Sequence, residues 1–103
     1  MNIAVIGLGY VGLQVASALS KLQNVVAFDI DKKRLEELKL GKDISGEVTQ
    51  DDLLQGTLHY TADEQDLKNI DFYIIAVPTP IDSDNNPDLS LLEQASRTVS
   101  RYL

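Results

Sequence analysis

The sequence lacks the residues that mark several classes of protein. It has no cysteine, so neither a disulfide framework nor a thiolate nucleophile can form. Its net charge of −7 argues against non-specific binding to nucleic acid or to anionic membranes. It also lacks the run of about 18 apolar residues that a membrane span needs, and glycines interrupt its first apolar stretch, so we expect no signal peptide. We therefore expect a cytoplasmic protein without nucleic-acid or membrane partners.

Apolar runs and helix-period stripes alternate along the 103 residues, a length typical of one domain. Continuous apolar runs indicate strands buried on both faces, and stripes three or four residues apart indicate helices. The alternation predicts a Rossmann-like parallel α/β sheet of about four strands in the order 3-2-1-4, with helices on both faces. Strands are predicted at 3–6, 25–28, 58–61 and 72–77, helices from the glycine-rich turn to about residue 22 and at 31–40, 63–69 and 88–103, a helical turn at 49–54 and a loop at 82–87.

Three glycines follow the first predicted strand, at Gly7, Gly9 and Gly12. Between a strand and a helix, this G-x-G-x-x-G spacing is typical of dinucleotide binding. Gly7 permits the tight turn, Gly9 lets a pyrophosphate approach the backbone, and Gly12 lets the helix pack closely on the strand. Asp29 ends the second predicted strand about 20 residues further on, where a carboxylate can accept hydrogen bonds from the ribose hydroxyls of NAD.

The charge of Asp29 also favours NAD over NADP, because a carboxylate repels a 2′-phosphate. Two alternatives stay open at this point. The turn could be a tight strand–helix connection without a ligand, with Asp29 solvated. The basic residues Lys32, Lys33 and Arg34 could meet a 2′-phosphate, stay solvated or pair with the acids at 36–37 on the same helix, and Arg34 could lie over the adenine or reach the ribose.

Three segments together carry a family resemblance: IAVIGLGYVGL, FDIDKKRLEELKLG and FYIIAVPTPID. They resemble the N-terminal domain of the UDP-glucose/GDP-mannose dehydrogenase family, and the resemblance covers essentially the whole chain. The segment NNPDLSLLEQASRTV is more similar to the branch that oxidises UDP-N-acetylhexosamines for bacterial capsule and O-antigen synthesis. The resemblance implies an NAD cofactor.

By this resemblance, five turn residues lie along the NAD pyrophosphate, Asp29 binds the adenosine ribose and Arg34 makes a basic cofactor contact. Thr79, in the V-P-T-P stretch, matches a threonine that meets the cofactor at the carboxyl end of the fourth strand. Ligands of open α/β sheets bind beyond the carboxyl ends of the strands, which agrees with that location. Thr79 could instead be a strand-ending turn residue, and Tyr10 a half-buried aromatic beside the turn. The five turn residues are Gly7, Gly9, Tyr10, Val11 and Gly12.

The family reaction implied by the resemblance converts the C6 alcohol of a nucleotide sugar to a carboxylate with two NAD, through a cysteine thiolate that captures the intermediate aldehyde. This chain has no cysteine, and it ends before the family's fifth strand and sugar-nucleotide domain. We therefore interpret residues 1–103 as part of the NAD-binding domain of a longer oxidoreductase that acts on a UDP-sugar. We expect these residues alone to be inactive and to contain no catalytic residue. An NAD-sensing regulatory module and another β-hydroxyacid-type dehydrogenase stay open as alternatives.

The remaining polar residues show no catalytic or metal-ligand pattern. His59 lies in a predicted strand and is expected to point to solvent. The acids at 51–52 and 63–66 are expected to be solvated helix starts rather than a metal site. We also expect a homo-oligomer, because residues 72–77 would form an apolar sheet edge that invites pairing with another chain.

Overall fold

A parallel four-stranded sheet forms the centre of this computed structural model, which describes residues 1–43, 46, 48–81 and 83–103. Its order is β3-β2-β1-β4, which confirms the predicted Rossmann-like fold and strand order. In the register of the sheet, Ile6 lies beside both Phe28 and Ile75, so the three neighbouring strands end at the same level. Their carboxyl ends therefore form one shared edge, where a ligand of such a sheet binds. The strands are β1 (Asn2–Ile6), β2 (Asn24–Phe28), β3 (Leu58–Thr61) and β4 (Phe72–Ile75).

The helices form where the sequence predicts them, and short polar side chains begin three of them. Asp31, Thr49 and Asp63 each accept a hydrogen bond from a backbone N–H in the first turn that follows. The predicted loop at 82–87 includes Asp82, which lies outside the described residues. The helices are α1 (Tyr10–Ser20), α2 (Lys32–Lys39), α3 (Gln50–Leu53) and α4 (Ser90–Ser100), with a 3₁₀ helix at Glu64–Leu67.

Strand side chains alternate between two apolar cores, one on each face of the sheet. Val5 and Ala27 belong to the core that α1, α2 and α3 cover. Ile6 and Phe28 belong to the other core, which α4 and the 3₁₀ helix cover. Helices therefore lie on both faces, as predicted, and the strands between them are held rigidly at the edge where the glycine turn begins.

Several boundaries differ from the prediction, and the helix predicted at 63–69 is the 3₁₀ helix at Glu64–Leu67. α1 ends at Ser20 rather than near residue 22, and Leu22 is 83% exposed, so its apolar side chain had extended the predicted stripe beyond the helix. β4 ends at Ile75 rather than at residue 77, because its partner β1 ends where the chain turns at Gly7. α4 covers Ser90–Ser100 rather than 88–103.

Candidate functional site

Two glycines of the turn between β1 and α1 are required by the packing of the chain itself. Gly7 has a φ of +98°, which residues with a Cβ rarely adopt, and a Cβ there would lie 2.9 Å from the Ala76 carbonyl oxygen. A Cβ on Gly12 would overlap the carbonyl oxygen of Gly7. The tight turn expected at Gly7 and the close helix packing expected at Gly12 are therefore both present.

Gly9 is different, because no atom lies within 4 Å of the position that its Cβ would occupy. It precedes α1 in an extended conformation open to any residue, and no side chain caps the helix there. Tyr10 and Val11 begin the helix and are 61% and 52% exposed, so Tyr10 is exposed rather than half-buried. The first N–H groups of a helix have no partner within it. This uncapped, uncovered helix start is therefore suited to an anion such as a pyrophosphate.

Asp29 and Arg34 hold the peptide groups of Leu8, the buried residue between the first two glycines. The Leu8 N–H donates to Asp29 Oδ2 over 2.8 Å, and Arg34 Nε donates to the Leu8 carbonyl oxygen over 3.1 Å. Asp29 Oδ1 accepts a further hydrogen bond from the Asp31 N–H at 2.9 Å. Because a carboxylate offers about four lone-pair sites, Asp29 keeps acceptor capacity for ribose hydroxyls while it fixes the turn.

Arg34 forms an ion pair with Asp43, a residue that the sequence analysis missed. Arg34 Nη1 lies 3.2 Å from Asp43 Oδ1, and the two side chains are 16% and 1% exposed. Asp43 Oδ2 also accepts a hydrogen bond from the Val48 N–H at 3.1 Å. The only sequence feature near Asp43 is the helix-ending Gly41, which indicates a turn but not a partner. Arg34 is therefore a positioned cation rather than a solvated one.

Tyr60 lies within electrostatic reach of this ion pair. Burial raises the pKa of Tyr60 to about 12, the charge of Asp43 adds to the rise, and the charge of Arg34 opposes it. The Tyr60 hydroxyl donates to the Leu53 carbonyl oxygen over 2.7 Å. The neutral phenol therefore acts as a structural donor that ties β3 to α3.

A groove of about 330 Å³ passes the glycine turn at the carboxyl edge of the sheet. It brings together the turn, the end of β2 and the segment that follows β4. A cleft of about 60 Å³ shares Ile30 and Leu91 with this groove and extends along α4, with mostly apolar walls. Residues that line the groove include Gly7, Gly9, Asp29, Arg34 and Pro78.

Thr79 lies on the segment after β4, next to this groove. Val77 and Pro78 line the groove, and Thr79, the next residue, is exposed. The Asp88 N–H donates to the Pro80 carbonyl oxygen over 2.6 Å, which closes the segment into a loop. Thr79 therefore lies at the carboxyl end of the fourth strand, where the family resemblance places a cofactor contact.

The other polar residues form no second site in the described part of the chain. His59 is exposed, as predicted. No group of three histidine or acidic side chains within residues 1–43, 46, 48–81 and 83–103 is arranged to hold a metal ion. No helix among the described residues has the length and apolar character needed to cross a membrane.

The family model described as "UDP-glucose/GDP-mannose dehydrogenase family, NAD binding domain" matches residues 1–103. The chain belongs to this dehydrogenase family. The match confirms the resemblance seen in the three sequence segments, and it assigns the glycine turn and groove to the NAD-binding domain of the family.

Relatives within the dehydrogenase family match the whole chain. Protein CapL of Staphylococcus aureus is 50% identical over 102 residues, which cover 99% of this chain and 24% of CapL. UDP-N-acetyl-D-glucosamine 6-dehydrogenase of Salmonella typhi is 46% identical over 104 residues, which cover 100% of this chain and 24% of that enzyme. The solved structure of a UDP-D-ManNAc dehydrogenase from Pyrococcus horikoshii matches with a TM-score of 0.90 and 38% identity, over 100% of this chain and 26% of that one. The chain thus spans about a quarter of the length of the curated relatives it matches.

Proposed function

We propose that the protein containing this chain is an NAD-dependent nucleotide-sugar 6-dehydrogenase, and that these residues hold the NAD. The proposed substrate is a UDP-N-acetylhexosamine, whose C6 alcohol is oxidised to the uronate. A relative that is 46% identical is named for this reaction on UDP-N-acetyl-D-glucosamine, which supports the choice of branch. The proposal that these residues hold NAD rests on the open space at Gly9 beside the uncapped start of α1.

The residues present fit the pyrophosphate, the adenosine ribose and the adenine of a dinucleotide. The start of α1 offers N–H groups and the positive end of the helix dipole to a pyrophosphate, and Gly9 leaves the backbone open to it. The remaining lone pairs of Asp29 fit the hydroxyls of the adenosine ribose. We propose that the adenine ring packs at the mouth of the mostly apolar cleft, against Ile30 and Leu91. We propose the exposed hydroxyl of Thr79 as a further cofactor contact.

When bound, NAD accepts the hydride that leaves the sugar carbon. The residues of this chain bind and orient that cofactor, and we assign none of them a role in bond breaking. Asp29 has two tasks in this scheme, since it accepts the Leu8 N–H that fixes the turn and holds the ribose. The thiolate step that the family resemblance implies needs a cysteine from outside these 103 residues.

The test is an assay of the intact protein with NAD and a panel of sugars: UDP-GlcNAc, UDP-GalNAc, UDP-ManNAc, UDP-glucose and GDP-mannose. We expect NADH to form with a UDP-N-acetylhexosamine, at two NADH per sugar. Turnover of UDP-glucose or GDP-mannose alone would contradict the choice of branch. NAD binding without turnover of any sugar would favour a regulatory NAD-sensing module instead.

The expected cytoplasmic location and homo-oligomer stay predictions from the sequence. Cell fractionation measures the first, and sedimentation velocity of the intact protein measures the second. A monomer at tens of micromolar would contradict the expected oligomer.

A further inference from the structure

The guanidinium of Arg34 is held on two sides by groups of the protein. Its Nε donates to the Leu8 carbonyl oxygen at 3.1 Å, and its Nη1 pairs with Asp43 Oδ1 at 3.2 Å. Asp43 is itself held, because its Oδ2 accepts the Val48 N–H at 3.1 Å. The guanidinium of Arg34 is therefore fixed at once to the glycine turn, through Leu8, and to the segment beyond α2, through Asp43.

The ion pair between Arg34 and Asp43 also sets the positive charge that the groove offers to a ligand. Arg34 lines the groove with Asp29, and its side chain keeps 16% of its surface exposed. Asp43 is 1% exposed, so water screens its charge little and the carboxylate acts strongly on the arginine 3.2 Å away. A close pair of opposite charges has a weak field at a distance. Arg34 thus contributes far less attraction for an anion than a free guanidinium would.

We propose that Asp43 is a positioning residue that sets the preference between NAD and NADP. It holds Arg34 against Leu8 and neutralises its charge, so that the guanidinium does not bind the 2′-phosphate of NADP. Asp29 repels that phosphate directly, and Asp43 removes the cation that would otherwise offset the repulsion. This proposal rests on the proposed NAD site at the glycine turn.

The test compares dissociation constants for NAD and NADP in the intact protein carrying Asp43→Asn. Asparagine keeps the shape and can still accept the Val48 N–H, but the charge of Arg34 is then uncompensated. We expect the ratio of the NADP constant to the NAD constant to fall by about fivefold, the size expected for one partly screened unit charge near the ligand. A general loss of stability would weaken the binding of NAD and NADP by the same factor and leave the ratio of their dissociation constants unchanged.

Asp52→Asn is the matched control, because it removes the same charge from an acid paired with Lys21, 3.7 Å away on the surface. We expect this control to leave the ratio at the wild-type value. The proposal is overturned if Asp43→Asn and Asp52→Asn give the same ratio.

A second pair of variants tests the proposal even where Asp43→Asn fails to fold. Arg34→Gln removes the positive charge of the pair and keeps the Asp43 carboxyl group, so the preference for NAD should rise. Adding Asp43→Asn to Arg34→Gln makes the pair neutral, and the ratio should return close to the wild-type value. Equal ratios for the single Arg34 variant and the double variant would contradict the role of Asp43. A wild-type protein that binds neither nucleotide would instead contradict the proposed function itself.

Discussion

The glycine turn and the loop after β4 both border the groove, yet the protein holds them in different ways. In the turn, Leu8 is fully buried. Its N–H donates a hydrogen bond to Asp29, and its carbonyl oxygen accepts one from Arg34. In the loop, Thr79 is exposed and Ile81 is 68% exposed. Leu8, Gly7 and Gly12 of the turn therefore serve the fold as well as the proposed cofactor site, whereas changes in the loop should affect binding alone. Substitutions at Gly12, Gly9 and Thr79 test this contrast, and Tyr60→Phe tests the surroundings of the Arg34–Asp43 pair, in order of decreasing expected effect.

Gly12→Ala should cause the largest loss of stability. The new Cβ would overlap the Gly7 carbonyl oxygen, so α1 must move away from the turn. We expect a cost of about 3 kcal/mol in the free energy of unfolding, at the upper end of the usual range for overpacking. Urea unfolding monitored by circular dichroism measures this cost, and a loss below about 0.5 kcal/mol would mean that the turn is not packed as described.

Gly9→Ala should separate binding from folding within the turn. No atom lies within 4 Å of the new Cβ, and the backbone conformation suits alanine, so the free energy of unfolding should change little. NAD affinity should fall about tenfold, equivalent to about 1.4 kcal/mol, because the methyl group occupies space proposed for the pyrophosphate. Calorimetric titration of the intact protein measures the affinity. Unchanged NAD binding would place the pyrophosphate elsewhere.

Tyr60→Phe tests the buried hydroxyl near the Arg34–Asp43 pair. Loss of the hydrogen bond to the Leu53 carbonyl oxygen should cost about 1 kcal/mol at neutral pH. Burial raises the pKa of Tyr60 to about 12, so its neutral form is favoured by folding. The stability that the fold gains from the neutral phenol is complete below the ordinary tyrosine pKa of about 10, and it is lost as pH rises from about 10 to 12.

The phenylalanine variant should therefore lose less stability than the wild type over this alkaline range. Tyr73, whose pKa burial also raises, contributes to the loss that persists in the variant. Urea unfolding at several pH values between 9 and 12 measures both curves. Parallel curves for the two proteins would show that Tyr60 is not buried as a neutral phenol.

Thr79→Ala should have the smallest effect and should act on binding alone. The side chain is exposed, so we expect stability to stay within about 0.5 kcal/mol of the wild type. Loss of one hydrogen bond to the cofactor should weaken NAD by roughly threefold. Ser100→Ala is a suitable control, because this exposed hydroxyl bonds within its own helix, to the Arg97 carbonyl oxygen at 2.8 Å, and lies outside the groove and the cleft. A stability loss at Thr79 larger than any change in affinity would remove the contrast between the two regions.

The sequence predicted those parts of the fold and site that depend on local pattern. The spacing of Gly7 and Gly12 and the position of Asp29 follow from one strand–turn–helix unit, so a short stretch of sequence contains the whole pattern. The strand order could also be predicted, because continuous apolar runs alternated with amphipathic helices.

The remaining features depend on contacts between distant segments. Asp43 pairs with Arg34 across the end of a helix, and no local spacing marks an ion pair of this kind. The end of β4 is set by the end of its partner β1, not by its own apolar residues, which continue to Val77. Apolar character alone could likewise not reveal that Leu22 lies beyond the last turn of α1.

The most direct test of the NAD site is a titration of the intact protein with NAD and with NADP, for the wild type and for Asp29→Asn. The wild type should bind NAD more tightly than NADP, because the Asp29 carboxylate accepts ribose hydroxyls and repels a 2′-phosphate. Asparagine can still accept the Leu8 N–H but loses the hydrogen bond from the Asp31 N–H, so the variant should fold with a modest loss of stability and show a reduced preference for NAD. A wild-type protein that binds NADP as tightly as NAD, or more tightly, would contradict the proposed site.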